Sequence, residues 1–122
     1  MAAPNLVNVS SIYGKTMGAA LGTTTTTSLL ANASGSNKLL KINSIIVSNV
    51  DGSNAADVTL SWFDGTTDYR LARTVTVPAD STLVVIGKDA PIYLEENNSI
   101  RGGASAASDL EVVISYEELD DA

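Results

Sequence analysis

The chain has 122 residues, 44% of them hydrophobic and only 17% charged, with a formal charge of −7, no cysteine and no histidine. This is one domain's length, with enough apolar content to fold around one core. The two absent residue types exclude disulfides, thiolate nucleophiles, Cys/His zinc sites, haem ligation and any imidazole acid–base step, and the acidic balance disfavours a phosphate-backbone partner.

Uncharged polar residues fill the remaining space, with 14 Ser, 12 Thr and 9 Asn. That mixture favours strands and turns over helices. No apolar run reaches the length of a membrane span, and Met1-Ala2-Ala3-Pro4-Asn5 has neither the basic start nor the apolar stretch of a secretory signal.

In chain order, Leu6 to Val9 alternates as a short strand. Met17 to Leu21 allows one helical turn at most. Thr23 to Leu30, opening on five consecutive threonines, predicts a β-branched strand on or near a sheet edge, with a flexible Thr-rich linker as the alternative. Lys38 to Val50 is a long strand whose alternation changes phase at Asn43-Ser44. Leu40 and Ile42 share one face before that point, and Ile45 and Val47 share one after it; a one-residue bulge would bring both pairs to the same side. A strand apolar on both faces is the alternative.

Asp51-Gly52-Ser53-Asn54 predicts a turn. Val58, Leu60 and Trp62 then alternate with Thr59, Ser61 and Phe63. Asp64-Gly65 turns into a strand framed by Tyr69, Leu71, Val75 and Val77 and interrupted at Arg73. Leu83 to Ile86 is short and continuously apolar, as in a central strand. Ile92 to Leu94 follows Pro91, and Glu96-Asn97-Asn98-Ser99 leads into Ile100-Arg101, with Gly102-Gly103 as punctuation. Leu110, Val112, Ile114 and Tyr116 alternate with Glu111, Ser115 and Glu117, and Val113 breaks the pattern. Glu117 to Ala122 ends the chain as a solvated acidic tail.

Chemical motifs fail one by one. Gly14-Lys15-Thr16 lacks the earlier glycine of a phosphate-binding loop, since Val9 stands in its place. Asp64-Gly65-Thr66 has no second copy to form a carboxylate pair. Ser11 and Lys15, like Ser34 and Lys38, are one residue too far apart for an acylating pair. Asp51 to Asp57 lacks the ligand spacing of a calcium loop. Glu95 and Glu96 are adjacent, so on a strand they point apart. Trp62 belongs to the core; Phe63 then points outward, either to a partner or beneath a loop. Arg73 and Arg101 are candidate interface cations, with solvated strand positions as the alternative.

Three stretches carry a resemblance: Val77 to Ile86, Ile92 to Arg101, and Asp109 to Tyr116-Glu117-Glu118. With the opening Pro4-Asn5-Leu6-Val7-Asn8-Val9 and with Lys41 to Asn49, they resemble small β-sandwich virion proteins of tailed bacteriophages, especially marine ones. Asn97-Asn98 replaces the group's Gly-Asp turn, which Asn accommodates because it tolerates left-handed backbone.

Residues and resemblance together give the expectation: an all-β antiparallel sandwich, jelly-roll-like, of roughly eight to nine short strands. Residues 1–37 would form an N-terminal arm (Ala2 to Lys15, reaching a neighbouring subunit) and a Thr-rich edge segment, 38–118 the sandwich core, and 119–122 the tail. The resemblance implies a non-enzymatic virion structural protein without cofactor or metal, made in the host cytoplasm. The favoured role is head decoration on the major capsid protein, as a homo-oligomer, with a trimer favoured. Neck, tail or fibre attachment and a carbohydrate-binding surface module are the alternatives. The expected interface residues are Asn5, Leu6, Val7 and Val9 on the arm, with Phe63, Arg73 and Arg101, and neither nucleic acid nor membrane is a partner.

Overall fold

Period-two patterning produces nine strands and no helix in the computed structural model, which describes residues 9–121. The strands are β1 (Val9–Ala20), β2 (Ser28–Ala31), β3 (Lys38–Asn49), β4 (Ala56–Phe63), β5 (Asp68–Val77), β6 (Thr82–Ile86), β7 (Ile92–Leu94), β8 (Ser99–Ala104) and β9 (Leu110–Asp121). All pairings are antiparallel. The larger sheet runs β1-β9-β3-β6, with β7 also pairing β3, and the smaller runs β2-β8-β4-β5. Both β6 and β7 pair with β3, so they act as one interrupted strand. Counted that way, the sheets read first-last-third-sixth and second-seventh-fourth-fifth, the order of a jelly roll.

The core lies between the sheets. Leu40, Ile42, Ile45, Val47, Leu110, Val112 and Ile114 reach it from the larger sheet; Val58, Leu60, Val77 and Ile100 reach it from the smaller. Each large aliphatic side chain removed from water stabilises the fold by about 2 kcal/mol. The phase change in β3 is resolved as expected: Ile42 pairs with Tyr116 and Ser44 with Ser115, so Asn43 is the extra residue and both apolar pairs face inward. The interruption of β5 is also a bulge. Val75 pairs with Val58 and Ala72 with Leu60, leaving Arg73 and Thr74 opposite Thr59; Thr74 has a φ of 45° and its N–H donates to Thr59 Oγ1.

Several expectations are corrected. Residues 17–20 finish β1 instead of making a helical turn, because β9 supplies ladder partners from Glu111 to Ile114. The threonine run turns before β2 starts at Ser28: Thr27 donates through both N–H and Oγ1 to the Thr24 carbonyl. The fold needs that turn. A Cβ on Gly103 would lie 2.6 Å from the Thr24 carbonyl oxygen and 2.9 Å from that of Gly22. Gly102-Gly103 is therefore the interior of β8, where two backbones approach too closely for side chains. Leu83 to Ile86 is an edge strand, and Val84 is 61% exposed. Residues 119–121 belong to β9, with Leu119 and Asp120 held between β1 and β3, and Leu119 is buried. The sandwich is thus not confined to 38–118: residues 9–20 and 28–31 supply an edge strand to each sheet. Residues 9–15, expected to be part of an arm, are ladder residues.

With no disulfide, the ends of the sandwich are tied by buried amides. Asn32 Nδ2 donates to the carbonyls of Lys38 (2.8 Å) and Leu94 (2.9 Å), joining the β2–β3 loop to β7. Asn49 Nδ2 does the same at the other end, donating to Asn54 (3.0 Å) and Val77 (2.9 Å). Removing either amide strands two inward-facing carbonyls. Asn32→Ala is expected to destabilise the fold by about 2 kcal/mol, read as a lower urea midpoint with an unchanged slope.

Candidate functional site

Three arrangements of polar or aromatic side chains stand out. The first lies on the outer face of the smaller sheet. Register places Asp68 and Ser99 opposite Phe63, and Arg70 and Arg101 opposite Ser61. Arg101 folds over Phe63, its guanidinium carbon 4.0 Å from the ring centroid, and Nη2 pairs with Asp68 Oδ2 at 3.2 Å. Both charged side chains are less than one-fifth exposed. Arg70 Nη1 donates to Ser61 Oγ at 2.6 Å. Arg101 Nε and Asp68 Oδ1 are buried without partners. The planar cation is thus held by stacking and one ion pair.

Two of the expected interface residues, Phe63 and Arg101, therefore meet, with Phe63 covered by Arg101. Arg73 stands apart at the β5 bulge and is exposed. Val9 opens β1 opposite Asp121, while Asn5, Leu6 and Val7 lie outside the described residues.

The second arrangement is electrostatic. Beyond the core, the inner face of the larger sheet carries Glu118, with Oε1 3.3 Å from Lys15 Nζ and Oε2 3.2 Å from Lys38 Nζ. Burial opposes ionisation of Glu118, but its bonds to Lys38 and Lys15 outweigh it and hold the carboxyl below the ordinary carboxylate range. The same hydrogen bond raises Lys38 above the usual lysine value. Glu96 is only 7% exposed and caps the β2–β3 loop, accepting the N–H groups of Gly35 (2.6 Å) and Asn37 (2.9 Å). Asn97 takes a left-handed φ of 70° beside it, as its residue type allowed.

The third is a cleft of about 290 Å³ on the open side of the sandwich, lined by Trp62, Tyr69, Arg70, Leu71, Ile92 and Tyr93. The Trp62 and Tyr69 rings are 5.7 Å apart and tilted by 32°. Trp62 packs on the core with one part and lines the cleft with another. Tyr93 arrives from the other sheet, and alternation within one strand carries no sign of that meeting. Among the described residues, no group of three or more acidic, His or Cys side chains is placed to hold a metal ion.

No protein-family model matches the chain, and no curated protein matches it. Solved structures similar to it include two crystal structures, each of a pentameric capsid protein isolated from metagenomic phage sequences. Both share 16% identity with it at a TM-score of 0.39, over 97% of this chain. The matches cover 68% of one and 64% of the other, so the chain spans about two thirds of their length.

Arg101→Ala is expected to cost about 2 kcal/mol in chemical denaturation, because it leaves Asp68 half-buried and unpaired, whereas Arg73→Ala should stay within about 0.5 kcal/mol. The Glu118 cluster predicts a pH dependence. A depressed carboxyl stabilises the fold fully above its unfolded value, about 4.3, and the contribution is lost as pH falls through the lower folded value. Glu118→Gln should therefore be less stable than the parent at pH 7, and the gap should narrow as the pH is lowered below about 4.3. The raised Lys38 keeps its contribution until pH climbs past about 10.4.

Proposed function

We propose that this chain is a non-enzymatic structural protein of a phage virion, adhering in many copies to the assembled head. One observation carries the proposal. The outer face of the larger sheet carries an apolar row, Val113-Ile46-Val84, on three adjacent strands in direct register, with Val113 and Val84 exposed and Ile46 half-buried between them. Gly18 continues the row on β1. A Ser/Thr row (Thr16, Ser115, Ser44) and a mixed row (Gly14, Glu117, Lys41, Tyr93) lie beside it. An exposed apolar stripe rimmed by polar residues is the pattern of a docking surface. The buried amides and the Glu96 and Glu118 carboxylates hold the sandwich itself. This face is the surface we assign to the shell, with the major capsid protein as partner.

Adhesion across neighbouring subunits would stabilise the shell by mass action, since it favours the assembled state. The N-terminal arm is retained as a second contact, limited to residues 2–8 because residues 9–15 belong to β1. Neck, tail or fibre attachment would use the same face at lower copy number, and counting copies per virion separates it from head decoration. Nothing on the described surface singles out a trimer.

The cleft of Trp62, Tyr69 and Tyr93 favours one further reading, a carbohydrate contact, since exposed rings stack on sugar faces. Tyr69 and Tyr93 would be its platform, and Phe63 would not, lying under Arg101. Glycan binding abolished by Tyr69→Ala would support it.

Val84→Asp and Val113→Asp, both at exposed positions, should each weaken binding to purified undecorated heads about tenfold or more, with unchanged circular dichroism. Full occupancy by both variants would overturn the assignment of this face. Deletion of residues 2–8 tests the arm separately.

A further inference from the structure

An open sheet has edges, and each edge strand presents unpaired backbone groups that recruit another strand unless the edge is protected. Three of the four edges here are blunted. The β2 edge has only four residues and one register shift. The β6 and β7 edge is broken into five and three residues. The β5 edge is longer, but it has two register shifts, a left-handed Thr74 and two arginines, Arg70 and Arg73. Short length, bulges and charge are the usual protections.

The β1 edge has none of these along most of its length. From Ser11 to Ala20 it pairs in unbroken register with β9 and, among the described residues, with no other strand. The stretch contains no proline, and its one charge, Lys15, is already paired with Glu118. Ile12 is 59% exposed and Tyr13 52%. Ten residues of regular strand offer about 34 Å of ladder.

We infer that β1 is the self-association edge of this protein, pairing antiparallel with β1 of a second copy about a two-fold axis to make one sheet continuous across both subunits. The occupant follows from length and regularity. A heterologous match to β2 would leave more than half of the β1 edge unpaired, the β6 and β7 edge is interrupted between Ile86 and Ile92, and β5 is bulged. The one described edge that complements ten straight residues is β1 itself. An isologous contact also closes after two copies, so no fibre grows from it. Ile12 and Tyr13, on opposite faces of the strand, would pack against the partner's strand on both sides of the joined sheet.

The test uses the isolated full chain and does not depend on a virion role, so its failure leaves the proposal for the apolar face untouched. Light scattering should give twice the chain mass at micromolar concentration. Ile12→Lys with Thr16→Lys places like charges along the edge, and should weaken self-association about tenfold or more without changing the circular dichroism. Because the chain has no cysteine, single cysteines placed in turn at Ser11, Ile12, Tyr13, Gly14 and Thr16 report the register. Antiparallel partners come within disulfide reach, so oxidation should give covalent dimers at one or two adjacent positions and fall away on both sides. The scan decides the matter even if the double-lysine variant fails to fold. A monomer throughout the concentration range, a three- or five-fold mass, or no crosslink at any position would overturn the inference.

Discussion

Strand β3 carries two apolar pairs in opposite phase, Leu40/Ile42 and Ile45/Val47, and all four must enter one core. Side chains alternate across a strand, so a regular β3 would turn one pair to solvent. The single extra residue at Asn43 removes the conflict. That insertion sets the phase of β3 against β9, and a second register shift, at Ile45/Ile46, sets it against β6. The bulge also leaves Ile46 outward beside Val113, and the β6 shift brings Val84 into line with it, so local irregularities build both the core and the apolar row behind it.

The polar composition serves the architecture in a specific way. A sandwich without disulfides has to close its ends by other means, and here two buried asparagines and one buried glutamate do so. Each amide satisfies two carbonyls that the turns turn inward, and Glu96 gathers two N–H groups of the β2–β3 loop. Such groups are costly when unpaired and stabilising when fully matched. Arg101 is matched less completely on the outside of the smaller sheet: stacking on Phe63 and pairing with Asp68 fix the guanidinium, while Arg101 Nε and Asp68 Oδ1 stay unpartnered. What remains for a partner is shape, apolar surface and strand edge.

The two outward features are complementary in direction. The Val113-Ile46-Val84 row points perpendicular to the larger sheet, while the β1 edge points sideways within it. Copies joined edge to edge would present their apolar rows on one continuous surface. A surface assembled this way would be enlarged without new side chains, and each copy's adhesion would reinforce that of its neighbour.

Strand existence was legible because burial on one face of a pleated sheet writes period two into the chain. The β3 bulge, the β5 interruption and the outward Val113 were visible as breaks in that rhythm. Trp62 was half legible: its alternation showed the core contact, while the cleft needed Tyr93 from the other sheet. Met17 to Ala20, the threonine run and Gly102-Gly103 misled because their conformations are set by neighbours: β9 in the first case, and the close passage of residues 22–24 over β8 in the others. The sequence by itself determined the fold class, the inward faces and the absence of thiol and imidazole chemistry, since these depend on residue type and local spacing. Only the tertiary structure decided which strands are edges, which carboxylates are buried and which aromatics meet, because those depend on contacts between residues far apart in the chain, which no local pattern encodes.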